Sequence, residues 1–237
     1  MSDPKESERP VHIITGAGSG IGRAIATRLA AHGPVVLVGR RPEPLHETGS
    51  DLGQMDSDWI AVPADIAKAE DRHRIIDETL RAFGRIDCLV NNAAIGTCAS
   101  LAELSERKID ELITVNLNAP ILLTRLALSH LEKNNGCVIS IGSRAAIDPF
   151  PGLGTYGCTK AGLEALARCI ASEYPSVRAY TVHPGAVETD MLRSIVSADD
   201  LPSDQVLVPD DIAIGVEGFV LGTRDEPSGS SVVLAKG

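Results

Sequence analysis

The sequence predicts an α/β protein: a single doubly wound domain in which a seven-stranded parallel sheet carries helices on both faces. From Val11 onward, short apolar runs alternate with longer amphipathic stretches. The apolar runs are nearly continuous, which indicates strands that are covered on both faces. The chain has 237 residues, 43% of them hydrophobic and 23% charged, enough for one such domain with its own core.

The first half of the chain holds four predicted strands, over residues 11–15, 35–38, 59–63 and 86–90. A helix follows the first strand, because Ile21, Ile25 and Leu29 recur at every fourth position until Gly33 and Pro34 end it. Another helix follows the third strand and ends at Gly84. Its apolar face consists of Ile75, Ile76, Leu80 and Phe83.

The second half continues the alternation, with two helical stretches over 101–133, a strand over 137–141 and a helix over 155–174. A strand over 177–182, a helix beginning after Pro209 and a last strand over 231–235 complete the order. Residues 198–211 are rich in proline and aspartate and are predicted to be a loop insertion. We therefore predict a flexible amino-terminal arm over 1–10 and one domain over 11–237, with a substrate loop at about 190–208.

Composition limits the partners. The formal charge of −10 and the seven aromatic residues argue against nucleic acid, since neither a basic surface nor a stacking platform is indicated. No apolar run approaches the length of a membrane span or a signal sequence, so we expect no membrane partner and a cytoplasmic location. Five cysteines without a CxxC pair predict reduced, mostly buried thiols, with Cys158 in a packing role. The six histidines lack ligand spacing, so we expect no metal site.

A glycine-rich segment, Thr-Gly-Ala-Gly-Ser-Gly-Ile-Gly over residues 15–22, lies between the first strand and the first helix. Right-handed crossovers place the carboxyl ends of all parallel strands at one edge of the sheet, where ligands bind. Glycines let the main chain approach a pyrophosphate closely, and the helix amino terminus presents free N–H groups to it. The segment therefore predicts a dinucleotide site.

Tyr156 and Lys160 are four residues apart on a predicted helix, so their side chains share one face. A free tyrosine titrates near pH ~10, and bringing it to ~7 requires roughly 4 kcal/mol of stabilisation of the phenolate. A neighbouring ammonium and a cationic nicotinamide ring both favour the phenolate. Tyr156 can then give a proton to a carbonyl oxygen, or take one from an alcohol, as hydride moves.

Several motifs together resemble the classical short-chain dehydrogenase/reductase family. They are the TGxxxGxG spacing, Asn91-Asn92-Ala93-Ala94 with Ala94 in place of the usual glycine, Asn116, Ser143, the YxxxK arrangement, and Pro184-Gly185 with Thr189. The resemblance covers nearly the whole chain and implies a Rossmann-type fold with a catalytic set of Asn116, Ser143, Tyr156 and Lys160. The implied cofactor contacts are Gly16, Ser19, Gly20, Ile21, Gly22, Arg40, Arg41, Asp65, Ile66, Asn92, Ala93, Ala94, Tyr156, Lys160, Pro184, Gly185, Val187 and Thr189.

The resemblance also implies individual roles. Ser143 holds the substrate oxygen, Lys160 binds the nicotinamide ribose, and Asn116 helps to hold a water that connects Lys160 to solvent. Asp65 and Ile66 contact the adenine. The family expectation for assembly is a homo-oligomer; a shortened connection before the sixth strand and a short carboxyl terminus leave tetramer and dimer open.

The turn after the second strand predicts the cofactor. Gly39 stands where NAD enzymes usually place an acid for the ribose 2′-hydroxyl, and Arg40 and Arg41 follow. A guanidinium suits bidentate contact with a 2′-phosphate. We predict that NADP(H) is preferred, with Arg40 as the main contact to the 2′-phosphate and Arg41 assisting. NAD(H) is the alternative cofactor. The two arginines can also be solvated loop residues without a role in binding.

The leading functional hypothesis is an NADPH-dependent reductase of a ketone or aldehyde. The alternatives are an NAD-linked alcohol dehydrogenase and a catalytically inactive nucleotide-binding regulator, although a regulator has no need of Tyr156 and Lys160 together. Residues 148–151 and 191–196 are expected to border a small-molecule substrate, and their apolar content indicates a carbonyl compound with a hydrophobic part. A mobile surface loop without a selectivity role is the alternative for these segments.

Overall fold

Seven parallel strands form one sheet in the computed structural model, which describes residues 9–236. The strands are β1 (His12–Thr15), β2 (Val35–Gly39), β3 (Trp59–Pro63), β4 (Cys88–Asn91), β5 (Cys137–Ile141), β6 (Arg178–Pro184) and β7 (Ser231–Leu234). Their order is β3-β2-β1-β4-β5-β6-β7, so the direction of winding reverses between β1 and β4. The predicted fold class is confirmed. Residues 1–8 of the predicted arm lie outside the described residues.

Helices cover both faces of the sheet, because consecutive strand residues point to opposite sides. The helices are α1 (Gly20–Leu29), α2 (Pro42–Gly53), α3 (Ala69–Phe83), α4 (Glu106–Ile113), α5 (Ala119–Lys133), α6 (Gly154–Glu173), α7 (Asp190–Arg193) and α8 (Pro209–Leu221). On β1, Ile14 packs into the core cluster formed with α1, α2 and α8. Its neighbour Ile13 packs into the second cluster, with α3, α5 and α6. The two faces therefore have separate cores.

Helix α2 is an element that the sequence analysis missed. Its signals are Pro42 at the first turn and a buried face formed by Leu45, Thr48, Gly49 and Leu52. Two of those four residues are not strongly apolar, which weakens the periodic pattern. Gly49 is needed here because a Cβ atom would lie 2.3 Å from the ring of Trp59. The helix thus packs directly on β3.

The segment predicted as a loop, residues 190–208, contains α7 and a short 3₁₀ turn at Ser203–Gln205. A π-helical turn at Thr114–Asn118 joins α4 to α5, so helical structure runs without a break over Glu106–Lys133. An 18-residue window of this run has a mean hydropathy of 1.4, so the expectation that no run reaches membrane-span length is wrong by length and composition. The packing makes it a core helix, since Leu123, Ala127 and Leu131 are fully buried under the sheet.

Candidate active site

A cavity of about 1070 Å³ opens at the carboxyl edge of the sheet, where the loops after β1 to β6 converge. This is the edge at which open α/β sheets bind ligands. All of the predicted cofactor contacts lie on its wall, as does Ser143. Of the segments predicted to border the substrate, Asp148 and Pro149 do not line the cavity, whereas its wall includes Phe150, Pro151, Met191, Leu192, Ile195 and Val196. The structure therefore brings together segments that are far apart in the chain.

The glycine loop is packed so closely that two of its positions leave no room for a side chain. Gly16 has a φ of +69°, and a Cβ atom there would lie 2.7 Å from Nδ2 of Asn92. A Cβ atom at Gly22 would lie 2.2 Å from the carbonyl oxygen of Gly16. Two of the predicted glycines are thus required by the local geometry, whatever the ligand.

Thr15, which the sequence analysis did not single out, anchors this loop to the segment after β4. Its hydroxyl accepts hydrogen bonds from the main-chain N–H groups of Asn92 (2.9 Å) and Ala93 (3.0 Å) and donates to the carbonyl of Val90 (3.1 Å). The Asn92 side chain donates to the Thr15 carbonyl at 2.7 Å. Asn92 therefore holds the glycine loop in place at the cavity wall. The signal for Thr15 was its place at the end of β1, where a hydroxyl can reach the neighbouring strand.

The amino terminus of α1 faces the cavity through Ser19, Gly20, Ile21 and Gly22. The Ser19 side chain makes no capping hydrogen bond, and the first turn holds no acidic residue. The helix dipole and these first N–H groups favour an anion at this point. Together with the size of the cavity, the loop fits the pyrophosphate of a dinucleotide.

The turn after β2 places two arginines on the cavity wall. Arg40 and Arg41 are exposed, and within residues 9–236 neither has a hydrogen-bond or ion-pair partner. Gly39 beside them carries no acid, and the nearby Asp65 carboxylate accepts a hydrogen bond from the Ala67 N–H at 3.1 Å. The positive charge of both guanidinium groups is thus available to a ligand.

Helix α6 carries Tyr156 and Lys160 one turn apart, and the Lys160 Nζ lies 5.6 Å from the centroid of the Tyr156 ring. Lys160 is only 2% exposed, and its Nζ donates to the Ile141 carbonyl at the end of β5 at 2.8 Å. Ser143 follows two residues later, and its hydroxyl acts on the Tyr156 phenol in the direction that lowers the pKa of Tyr156. The phenol, the ammonium and the serine hydroxyl therefore share one corner of the cavity.

Burial governs the acid–base properties of this corner. It raises the pKa of Tyr156 to about 12, against an opposing effect of the Ser143 hydroxyl. It also lowers the pKa of Lys160 to about 8. The expected lowering of the Tyr156 pKa involves a cationic nicotinamide as well as Lys160. Among the protein's own groups, loss of hydration disfavours the phenolate more than the Ser143 hydroxyl favours it.

Asn116 lies behind the cavity wall and is fully buried. Its Oδ1 accepts from the Ile95 N–H (2.8 Å), and its Nδ2 donates to the Ile95 carbonyl (2.9 Å) and lies 3.4 Å from the Thr159 hydroxyl. Thr159 in turn donates to the Tyr156 carbonyl at 2.7 Å. Nδ2 uses both of its hydrogens and Oδ1 accepts one hydrogen bond, so the side chain is held mainly by the protein itself. Pro120, four residues on, has no N–H to offer the Asn116 carbonyl.

The substrate end of the cavity is mainly apolar. Its lining includes Cys98, Phe150, Leu153, Met191, Leu192, Ile195, Val196 and Leu201. A Cβ atom on Gly96 would lie 3.3 Å from Cγ of Met191, so α7 packs directly over the segment after β4.

The prediction of mostly buried thiols is wrong, because Cys98, Cys158 and Cys169 are exposed and only Cys88 and Cys137 are buried. Cys158 does not line the cavity, but its exposure contradicts the packing role predicted for it.

A parallel sheet, a crevice large enough for a dinucleotide and a corner with tyrosine, lysine and serine are together typical of oxidoreductase domains that use nicotinamide cofactors. The sequence model of the short chain dehydrogenase family matches residues 10–200. The chain belongs to this family of oxidoreductases, and the resemblance is confirmed. Among residues 9–236, no group of three histidines, cysteines or acids is arranged to hold a metal ion.

Individual relatives agree with this assignment. The chain is 34% identical over 198 residues to an uncharacterized oxidoreductase of Thermotoga maritima, covering 82% of this chain and 78% of that protein. It superposes on a 3-ketoacyl-(acyl-carrier-protein) reductase from Brucella melitensis complexed with NADH, with a TM-score of 0.89, 29% identity and coverage of 98% of both chains. A short chain dehydrogenase from Burkholderia cenocepacia in complex with NADP gives a TM-score of 0.87, 30% identity and coverage of 99% of both chains.

Proposed function

We propose that this protein is an NADPH-dependent oxidoreductase that reduces a ketone or aldehyde to an alcohol, with Tyr156 as the general acid. One observation carries the proposal: the Tyr156 phenol, the Ser143 hydroxyl and the Lys160 ammonium meet on the wall of the cavity that also contains the glycine loop. The relatives supply the reaction class, and two of them bind nicotinamide dinucleotides.

The binding residues divide along the cavity. The glycine loop and the α1 amino terminus take the pyrophosphate, Asp65 and Ile66 border the adenine, and Lys160 lies where it can bind ribose hydroxyls. A bound nicotinamide supplies the hydride for reduction. The protein's own task is then to hold the carbonyl oxygen and to deliver a proton to it.

Tyr156 is suited to that proton delivery. With a pKa of about 12, its phenol is protonated at neutral pH and can donate to a carbonyl oxygen. Ser143, whose hydroxyl acts on the phenol, can hold the same oxygen. Lys160, with a pKa of about 8, is mostly protonated at pH 7, and its charge favours the phenolate that donation leaves behind. The corner thus holds a phenol proton next to a charge that favours its transfer.

The preference for NADPH rests on charge. A 2′-phosphate carries negative charge that an acid at position 39 would repel, and Gly39 is there instead. Arg40 and Arg41 are exposed on the cavity wall, where a bidentate contact with phosphate is favourable. In a chain with a formal charge of −10, two adjacent arginines beside the cavity are a local exception that favours an anionic ligand.

The test is to follow cofactor absorbance with a panel of apolar ketones and aldehydes, using NADPH and NADH separately. We expect turnover with NADPH at higher kcat/KM than with NADH. The Tyr156→Phe variant should lose roughly 10²- to 10⁴-fold in kcat while it still binds NADPH, because only the proton donor is removed. Tyr174→Phe, at the end of the same helix and away from the cavity, is the matched control and should retain activity.

Three results would contradict parts of the proposal. Wild-type turnover in the Tyr156→Phe variant would remove its role as general acid. Equal kcat/KM with both cofactors would refute the preference for NADPH. Tight NADPH binding without turnover on a broad panel would favour a nucleotide-binding regulator.

A further inference from the structure

His183 lies at the end of β6, directly behind the loop that carries Ser143, and its side chain is fully buried. No ligand spacing or motif distinguishes it from the other histidines. Its Nδ1 lies 3.1 Å from the main-chain nitrogen of Ser143 and 2.9 Å from the main-chain oxygen of the same residue. One ring nitrogen therefore faces both main-chain polar groups of a residue in the proposed catalytic corner.

Gly142 makes this close approach possible. A Cβ atom at position 142 would lie 2.5 Å from Nδ1 and 2.7 Å from Cε1 of His183. Real Cβ atoms do not come this close to other heavy atoms, so any side chain at 142 would displace the imidazole or the loop. The pair Gly142 and His183 thus forms a contact that sets where the loop after β5 begins.

The other ring nitrogen faces an acid on α6. The His183 Nε2 lies 3.8 Å from Oε1 of Glu164, and within residues 9–236 it has no hydrogen-bond partner. Glu164 is one turn beyond Lys160 on the helix that also carries Tyr156. The groups that face the imidazole are therefore the main chain of Ser143 from one side, and Glu164 and Lys160 from α6.

These neighbours favour one tautomer. A single nitrogen cannot donate and accept at the same time, so Nδ1 serves either the Ser143 N–H or the Ser143 carbonyl. A hydrogen on Nε2 points towards the Glu164 carboxylate at 3.8 Å and leaves Nδ1 as an acceptor for the Ser143 N–H, with the Ser143 carbonyl 2.9 Å away as an unfavourable neighbour that the carboxylate must outweigh. The opposite tautomer would aim a lone pair at the carboxylate. Burial lowers the pKa of His183, so the ring is neutral at pH 7.

We propose that His183 is a positioning residue for Ser143: its Nδ1 accepts the Ser143 N–H and fixes the loop, and Glu164 selects the tautomer that can do so. The Ser143 Oγ also accepts the Ala145 N–H at 3.1 Å, which leaves its hydroxyl hydrogen for the phenol or the substrate oxygen. Displacement of the loop would move this hydroxyl away from Tyr156. This inference rests on the proposed function, because it concerns how Ser143 is held for that reaction.

A double-mutant cycle with His183→Leu and Ser143→Ala tests the inference. His183→Leu keeps apolar volume and removes the acceptor, and we expect kcat to fall roughly 10- to 100-fold, as for other small displacements of a reacting group. NADPH affinity, measured by fluorescence titration, should change less than about twofold, since the loss concerns orientation and not uniform binding. On the Ser143→Ala background the same change should cost almost nothing further, because His183 acts through Ser143.

Conservative variants separate positioning from general folding. His183→Asn retains a polar acceptor near the position of Nδ1 and should recover most of the lost kcat. Glu164→Gln removes the charge that selects the tautomer and should lower kcat several-fold, whereas Glu173→Gln, exposed at the end of the same helix, should have no effect. If His183→Leu does not fold, His183→Asn and Glu164→Gln carry the test on both backgrounds.

Equal losses on the wild-type and Ser143→Ala backgrounds would overturn the inference, since they would show that His183 does not act through Ser143. Wild-type kcat in both His183→Leu and Glu164→Gln would overturn it as well. Failure of the proposed function would look different. In that case the wild type would show no turnover, or Ser143→Ala would keep the wild-type kcat, and both results are independent of the His183 variants.

Discussion

Replacing Lys160 by methionine should stabilise the fold while it removes activity. Burial lowers the pKa of Lys160 from 10.5 to about 8. Each pKa unit corresponds to ~1.4 kcal/mol, so the buried ammonium costs the native state about 3 kcal/mol at pH 7. Methionine has a similar length and no charge. Its inability to donate to the Ile141 carbonyl offsets about 1–2 kcal/mol of this gain, which leaves a net increase of about 1–2 kcal/mol in the free energy of unfolding.

The pH dependence of this gain follows from the direction of the pKa shift. The native pKa of Lys160, about 8, lies below the ordinary value of 10.5. Between these two values the unfolded chain binds more protons than the native protein, so the free energy of unfolding of the wild type rises with pH. The cost of the buried charge is fully present below pH 8 and disappears towards pH 10.5. The advantage of the methionine variant should therefore shrink as the pH rises above 8.

Urea denaturation followed by circular dichroism, at pH values from about 7 to about 9.5, measures this difference across the range in which Lys160 titrates. Lys133→Met, an exposed lysine at the end of α5, is the matched control and should change the free energy of unfolding by less than about 0.5 kcal/mol at each pH. Turnover of Lys160→Met should be lost in the same preparations. A Lys160→Met variant that is less stable than wild type at neutral pH, or a difference that does not change with pH, would refute the reasoning.

Three further predictions concern other parts of the molecule. Arg40→Ala should weaken NADPH binding about tenfold, for about 1.5 kcal/mol of lost charged hydrogen bonding, and leave NADH binding unchanged, as titration with each cofactor would show. Gly22→Ala should weaken dinucleotide binding and lower the Tm, because its Cβ atom would lie 2.2 Å from the Gly16 carbonyl oxygen; Gly53→Ala, with only an ordinary contact at 3.6 Å, should retain both. His12, buried with a pKa lowered to about 4, should make the fold lose stability as the pH falls from 6.5 to about 4. The loss should be about 3 kcal/mol by linkage, and His12→Leu should flatten that part of an acid-unfolding curve.

Local patterns were sufficient for much of the fold and for part of the site. Glycine spacing and the strand before it predicted the loop over residues 15–22, because close approach of main chain is a property of the glycines themselves. The four-residue spacing of Tyr156 and Lys160 predicted their shared helix face for the same kind of reason. Helix α2 was missed because its buried face includes Thr48 and Gly49, whose burial depends on Trp59 of another element.

The chemistry of the site depended on contacts that no local pattern contains. The spacing of Tyr156 and Lys160 does not show that burial raises the pKa of the phenol to about 12, because distant residues remove water from the ring. The partners of the Asn116 side chain, Ile95 and Thr159, are likewise set by the folded structure.

The sequence by itself determined the alternation of strands and helices, the glycine loop and the shared helix face of Tyr156 and Lys160, because these follow from periodicity and from the properties of single residues. Only the tertiary structure decided which groups are desolvated, and which nitrogen of His183 meets the main chain of Ser143, 40 positions away in the chain. Desolvation and long-range hydrogen bonds arise from the packing of several elements around one point. For that reason they appear only once the chain has folded.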